Sequence, residues 1–290
     1  MTEIRRVQAI IDPQSTLEGA GVKLRRSIGT REVNYLDPFL LLDDFSAHDP
    51  KDYEEGFPLH PHRGIETVTY VLSGEVHHRD TLGNSGSIGA GDIQWMTSGR
   101  GIMHEEMPQV RPEGISGFQL WVNLPAKSKM SPPRYQDVSA KKIPEIAGKD
   151  GARIRVVAGT VGDVRGAVTD IAADPVYLDV LLPPRAAYRE RIARGHTAFA
   201  YVFEGRATFP GPGREEVGVT HPRLVVLGDG DEVRVTTGDQ PGRFLLVSGK
   251  PLHEPIARYG PFVMNTRAEI EQTLEDLRSG RFARNEPRDE

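Results

Sequence analysis

The stretch GIETVTYVLSGEV, residues 64–76, returns as GHTAFAYVFEGRA, residues 195–207, at a constant offset of 131. Gly64, Tyr70, Val71 and Gly74 meet Gly195, Tyr201, Val202 and Gly205. Both copies run β-branched and aromatic between two glycines, which reads as a strand bounded by turns. A second match sets IGAGD (88–92) against LGDGD (227–231) at an offset of 139. It aligns Gly89, Gly91 and Asp92 with Gly228, Gly230 and Asp231, and one longer loop in the second copy accounts for the larger offset. Two matches in the same order predict two homologous β domains, connected by the polar, proline-containing stretch 126–151. Similar runs at 117–125 (GFQLWVNLP), 176–184 (VYLDVLLPP) and 243–249 (RFLLVSG) extend the all-β reading to sandwiches or barrels.

One helix signal stands out, NTRAEIEQTLEDLRSG (265–280). Thr266 and Glu269 have capping-box spacing, Ile270, Leu274 and Leu277 share a face, and Gly280 ends the run. A helix packed on a barrel is expected there.

Composition narrows the function classes. The net charge of −5, without a basic stripe, argues against direct nucleic-acid binding. The absence of cysteine removes disulfides, thiolate metal sites and a cysteine nucleophile. No run is apolar enough to span a membrane, and MTEIRRVQAI lacks a secretory signal, so a cytoplasmic protein is expected.

The chemistry gathers just before the first repeat, in LHPHRG (59–64). A residue preceding proline is pushed towards extended backbone, so His60 and His62 point to one side. Their Cβ atoms then lie roughly 6.5–7 Å apart, close enough for two imidazoles to converge on one ion. A His-x-His pair alone is weak, because histidine is a common loop residue. SGRGIMHEEMP (98–108) adds His104 and Glu106, again at i and i+2. Three imidazoles and one carboxylate suit Fe(II), Mn(II), Ni(II) or Cu(II) better than structural zinc. Glu105 breaks the alternation. Glu66, four residues after His62, competes with Glu106 and ranks second. His77, His78 and Asp80 read as a solvated hairpin tip, and His48, His196, His221 and His253 as loop, surface or structural residues.

The repeat offers a test. With the two offsets, His60 and His62 fall on Arg191 and Ala193, His104 and Glu106 on Arg243 and Leu245, and Glu66 on Thr197. The scaffold glycines and tyrosine recur, whereas the candidate ligands do not. Residues needed only for folding should recur in both copies, so the four read as functional.

The pattern His-x-His-x3-Glu followed by Gly-x-x-His resembles the cupin motifs. HPHRGIETVTYVLSGEVHHRD (60–80), GDIQWMTSGRGIMHEEMP (91–108), GFQLWVNLP and DPFLLLDDF (37–45) together resemble the pirin family, and the likeness covers most of the chain. The resemblance implies a bicupin: two double-stranded β-helix (jelly-roll) barrels packed face to face, with a short C-terminal helix. It implies a metal-binding N-terminal barrel, residues 1–135, and a metal-free C-terminal barrel, residues 136–290. The family's ligands carry over to His60, His62, His104 and Glu106, and not to Glu66. One divalent transition metal is implied, usually Fe(II), with Mn, Ni, Cu, Co or Zn as substitutes. Some pirin-like proteins are quercetin 2,3-dioxygenases, opening a flavonol with O2 and releasing carbon monoxide. Others are regulatory partners of transcription factors or metabolic enzymes, with a redox-sensitive metal site. On the first reading Glu106 is ligand and candidate general base, and Gln94, Met96, Gln119 and Trp121 are candidates to line the substrate pocket, with core packing the favoured role for Trp121.

Overall fold

The computed structural model describes residues 2–148 and 150–283. They are built mainly of strands, with one α-helix among the described residues. The chain forms two compact units, each assembled from separated stretches. One contains Ser15–Ile28, Phe39–Ala140 and the stretch from Leu252. The other contains the stretch up to Gln14, Gly29–Pro38 and Lys141–Pro251.

In the first unit a seven-stranded antiparallel sheet runs Arg134–Val138, Ile93–Thr97, Ile65–Ser73, Ser116–Asn123, Phe39–Asp44, Val22–Ile28 and Gln14–Glu18. A four-stranded sheet runs Phe57–His62, Ile102–Pro108, Val76–Asp80 and Ser85–Ile88. Val22, Leu24 and Val71 of the first sheet pack with Val76 and Ile88 of the second to form an apolar core. Burying these side chains is worth roughly 1.5–3 kcal/mol each.

Polar residues share the inner face with that core. Residues directly opposite in antiparallel strands project to the same face. Asp137, Gln94, Thr69, Gln119, Asp43 and Arg26 pair in succession across six strands. They make one polar row across the inside of the large sheet.

The second unit repeats this plan. Thr197–Pro210 lies between Arg223–Leu227 and Gly242–Gly249, as Ile65–Ser73 lies between Ile93–Thr97 and Ser116–Asn123. The repeated glycines share a left-handed backbone: φ is +80° at Gly64 and +75° at Gly195, +81° at Gly74 and +64° at Gly205. Glycine enters this region without the penalty other residues meet. Tyr70 and Tyr201 are both fully buried.

The second sequence match is not a structural one. IGAGD (88–92) precedes the strand Ile93–Thr97, whereas LGDGD follows that strand's counterpart, Arg223–Leu227. Strand pairing aligns Met96 with Leu227, so the offset of 131 still holds there. The counterpart of Ile102–Pro108 is therefore Glu232–Thr236, paired with Ala187–Arg191 as Ile102–Pro108 pairs with Phe57–His62. Arg243 and Leu245 belong to a different strand. Neither Ala187–Arg191 nor Glu232–Thr236 contains a histidine. Phe209, Phe244, Val233 and Val235 belong to the apolar core of this unit.

The C-terminal helix spans Arg267–Arg278. Thr266 caps it and Glu269 completes the capping box. Ile270 packs with Phe262, Met264 and Phe282, and Leu274 and Leu277 lie against them.

Candidate metal centre

The two strands that carry the histidines are neighbours in the four-stranded sheet. His104 lies opposite His60, and Ile102 lies opposite His62. The ring centroids stand 4.8 Å apart for His60–His62, 4.5 Å for His60–His104 and 5.1 Å for His62–His104. One ring nitrogen from each falls within 4.8 Å of the other two. His60 donates from Nδ1 to Pro58 O at 2.9 Å, which leaves Nε2 as its acceptor, 3.0 Å from His62 Nε2.

His104 is fully buried, and neither of its ring nitrogens has a hydrogen-bond partner; His62 Nδ1 also lacks one. Leaving a buried polar group unpaired costs about 1–3 kcal/mol. Burial, reinforced by the neighbouring histidines, holds His62 and His104 well below the usual imidazole range. A neutral His104 with both nitrogens unpartnered, gathered with His60 and His62, offers what a transition metal requires. The donor set fits such an ion.

Glu106 sits two residues beyond His104, after a one-residue register slip against the His-Pro-His strand. It lies outside the group of converging nitrogens. Its Oε1 accepts from Thr69 Oγ1 at 2.8 Å and its Oε2 from Gln119 Nε2 at 3.0 Å. The Thr69 hydroxyl also lies 2.8 Å from Gln119 Oε1. The polar row of the large sheet thus reaches across and holds the carboxylate.

His60, His62 and Glu106 line a cavity of about 540 Å³. Its walls include Thr69, Gln119, Trp121 and, from the C-terminal stretch, Arg258 and Pro261. Trp121 meets His62 edge-on at 5.1 Å, and the Arg258 guanidinium lies 5.1 Å from the Trp121 ring. Also on the wall, Arg26 forms a bidentate pair with Asp43, at 2.8 and 2.7 Å, and a third bond to Glu18.

The chain resembles known proteins along most of its length. The Pirin family model matches residues 21–122, and the model of the pirin C-terminal cupin domain matches residues 177–283. A Pseudomonas aeruginosa protein provisionally named quercetin 2,3-dioxygenase is 43% identical over 287 residues, covering 98% of this chain and 100% of that protein. Human pirin is 42% identical over 266 residues, covering 91% and 89%. A crystal structure of quercetin 2,3-dioxygenase from Acinetobacter baumannii superposes with a TM-score of 0.86 at 35% identity, covering 97% of this chain and 99% of that one. The chain belongs to the pirin family.

Its fold is the bicupin of the pirins. Within it, the residues singled out from sequence are sorted by strand face. Glu66 pairs with Thr97 and Val122, in the opposite phase from Thr69 and Gln119. It accepts from Thr97 Oγ1 at 2.8 Å, and burial raises its carboxyl. It therefore faces away from the histidines. Gln119 lines the cavity, but Gln94 and Met96 do not. Gln94 is instead bonded to His78 and Asp137, and Met96 is fully buried. Trp121, expected in the core, forms part of the cavity wall.

His78 is not at a solvated tip. It is buried on the strand Val76–Asp80, opposite Glu106, and stacks on Tyr135. His77 is half-exposed and bonds Glu75. Two lining elements were missed from sequence. Thr69 had a signal, since Thr67 and Thr69 alternate with apolar Val68 and Tyr70 along the strand. Arg258–Pro261 had none, because nothing local ties that hairpin to residues 60–62.

No helix among the described residues is long and apolar enough to cross a membrane.

Proposed function

We propose that this chain is a metal-dependent dioxygenase that opens quercetin-type flavonols with O2. The observation that carries the reading is the trio His60, His62 and His104, with one ring nitrogen of each within 4.8 Å of the others and both nitrogens of buried His104 unpartnered, beside a cavity of about 540 Å³ that His60 and His62 line. That volume suits a small aromatic ligand. The names of the Pseudomonas and Acinetobacter relatives support the same chemistry.

His60, His62 and His104 would hold the metal, with Glu106 as the fourth ligand. A divalent metal there, iron by preference, supplies Lewis acidity towards the flavonol 3-hydroxyl and redox capacity towards O2. Glu106 is the base on the cavity wall suited to take the 3-hydroxyl proton. Thr69 and Gln119 hold both of its oxygens, so the carboxylate is oriented before the ligand arrives. Trp121 presents an aromatic surface to a planar ligand.

The test is an aerobic assay of protein loaded in turn with Fe, Mn, Ni, Cu and Co, following loss of flavonol absorbance. Turnover with at least one metal, abolished in His104→Ala, is expected. No turnover with any metal would sink the enzyme reading. Tight metal binding without turnover would favour a regulatory protein whose metal site senses redox state.

A further inference from the structure

The residue after His62 is gripped by chain two hundred or more positions away. The Arg63 side chain is 5% exposed and pairs through Nη1 with Asp276 Oδ2 at 2.8 Å and Thr273 Oγ1 at 3.1 Å, both on the C-terminal helix. Its guanidinium lies 4.7 Å from the Phe282 ring centroid. Its backbone carbonyl accepts from Val263 N at 3.1 Å. The next residue, Gly64, is held as well: buried Lys129 donates to Gly64 O at 2.9 Å, Val263 O at 2.8 Å and Asn123 Oδ1 at 2.7 Å. A Cβ on Gly64 would stand 2.0 Å from Val263 O. The same C-terminal stretch puts Arg258 and Pro261 into the cavity wall beside His62.

We propose that the Arg63–Asp276 pair is a positioning latch for the candidate metal centre. It fixes the backbone that carries His62 and keeps the hairpin Ala257–Met264 closed over that side chain. The physical reason lies in burial. Removing Asp276 leaves the buried guanidinium with only neutral hydrogen-bond partners, the Arg100 carbonyl and Thr273 Oγ1, and the least costly relief for a desolvated charge without its counter-ion is exposure. Arg63, 5% exposed, gains water when the helix or the strand end moves. Either movement uncovers His62. The metal part of the inference rests on the function proposed above; the cover over His62 does not.

Two readouts test it, on full-length Asp276→Leu, Asp276→Asn and Asp276→Glu proteins. Arg267→Ala, which breaks only the exposed Arg267–Glu271 pair of the same helix, is the control. The first readout is the rate of diethyl pyrocarbonate modification at His62 in metal-free protein, mapped by mass spectrometry well below the melting temperature. His62 is 2% exposed, so slow modification is expected in wild type and Arg267→Ala, and at least tenfold faster modification in Asp276→Leu and Asp276→Asn. The second is Co(II) affinity and its visible ligand-field spectrum. Loss of a partner outside the ligand shell typically lowers metal affinity about 10–100-fold. Asp276→Leu should show that loss and an altered spectrum even when saturated, with Asp276→Glu recovering most of both. Unchanged His62 protection in folded Asp276→Leu and Asp276→Asn overturns the latch. If wild type takes up no Co(II) while His62 protection still depends on Asp276, the metal reading fails and the latch stands as the cover of the cavity.

Discussion

The Thr69 hydroxyl carries one proton and faces two acceptors at 2.8 Å, Glu106 Oε1 and Gln119 Oε1. With Glu106 ionised, the proton belongs to the carboxylate, because charge-assisted bonds are the stronger. Thr69→Val keeps the shape and removes that donor. It should lower metal affinity by about tenfold, as loss of a ligand's supporting bond does, and lower kcat more than it changes KM. Metal titration and steady-state kinetics check both. The histidines give a second prediction. His62 and His104 are depressed by burial, so below about pH 6.5 the unfolded chain binds protons that the fold refuses. Stability of the metal-free protein therefore falls as pH drops from there. Asp43 acts in the opposite sense, since burial raises it to about 6 and the fold takes its proton first. Comparing wild type with His104→Gln isolates one imidazole: their stabilities should diverge by up to about 1.4 kcal/mol per pH unit below the free-histidine range. Urea denaturation across that range measures it, and parallel curves would refute it. At this scale alternation put His60 and His62 on one side of their strand, and their rings do stand together. It was not legible in VHHRD, where two adjacent histidines offer both faces and only packing chooses His78.

Glycines that look equivalent in sequence carry different loads in their elements. Gly64 and Gly195 share a left-handed φ, but a Cβ at Gly195 meets nothing within 4 Å, while one at Gly64 meets the Val263 carbonyl. Gly195→Ala should cost only the backbone penalty, about 1–2 kcal/mol. Gly64→Ala should cost roughly 1–3 kcal/mol more, because the hairpin that follows Ala257 must move. Denaturant midpoints of the two variants give the difference. The first repeat match held because its glycines take the same left-handed backbone in both units, bounding Ile65–Ser73 in the first and lying just before and within the longer strand Thr197–Pro210 in the second. The second failed because Gly-x-Gly-Asp suits many turns, so a five-residue likeness does not fix which turn it is. The helix was legible to its cap, since Thr266 and Glu269 act within four residues. What that helix grips was not, because Arg63 and Asp276 are joined only by tertiary packing.

For the molecule as a whole, the two units share a strand plan and differ in what fills them. The unit holding His60, His62 and His104 keeps a cavity lined by polar and aromatic side chains. In the other, Tyr188, Phe209, Phe244, Val233 and Val235 belong to one packed cluster, and buried Glu190 is bonded to the Tyr188 hydroxyl at 2.7 Å. A carboxylate taken up by a phenol and surrounded by apolar side chains offers poor ligation, since hard divalent ions need several converging donors. The chain should therefore bind one transition-metal ion per molecule, although its architecture is double. Elemental analysis of protein purified without chelators should give a metal-to-chain ratio near one. The double variant His60→Ala/His62→Ala should bring it near zero, while Glu190→Gln should leave it unchanged. A ratio near two in wild type, or metal retained in the double variant, would place a site in the second unit and break the link between the repeat's asymmetry and its chemistry.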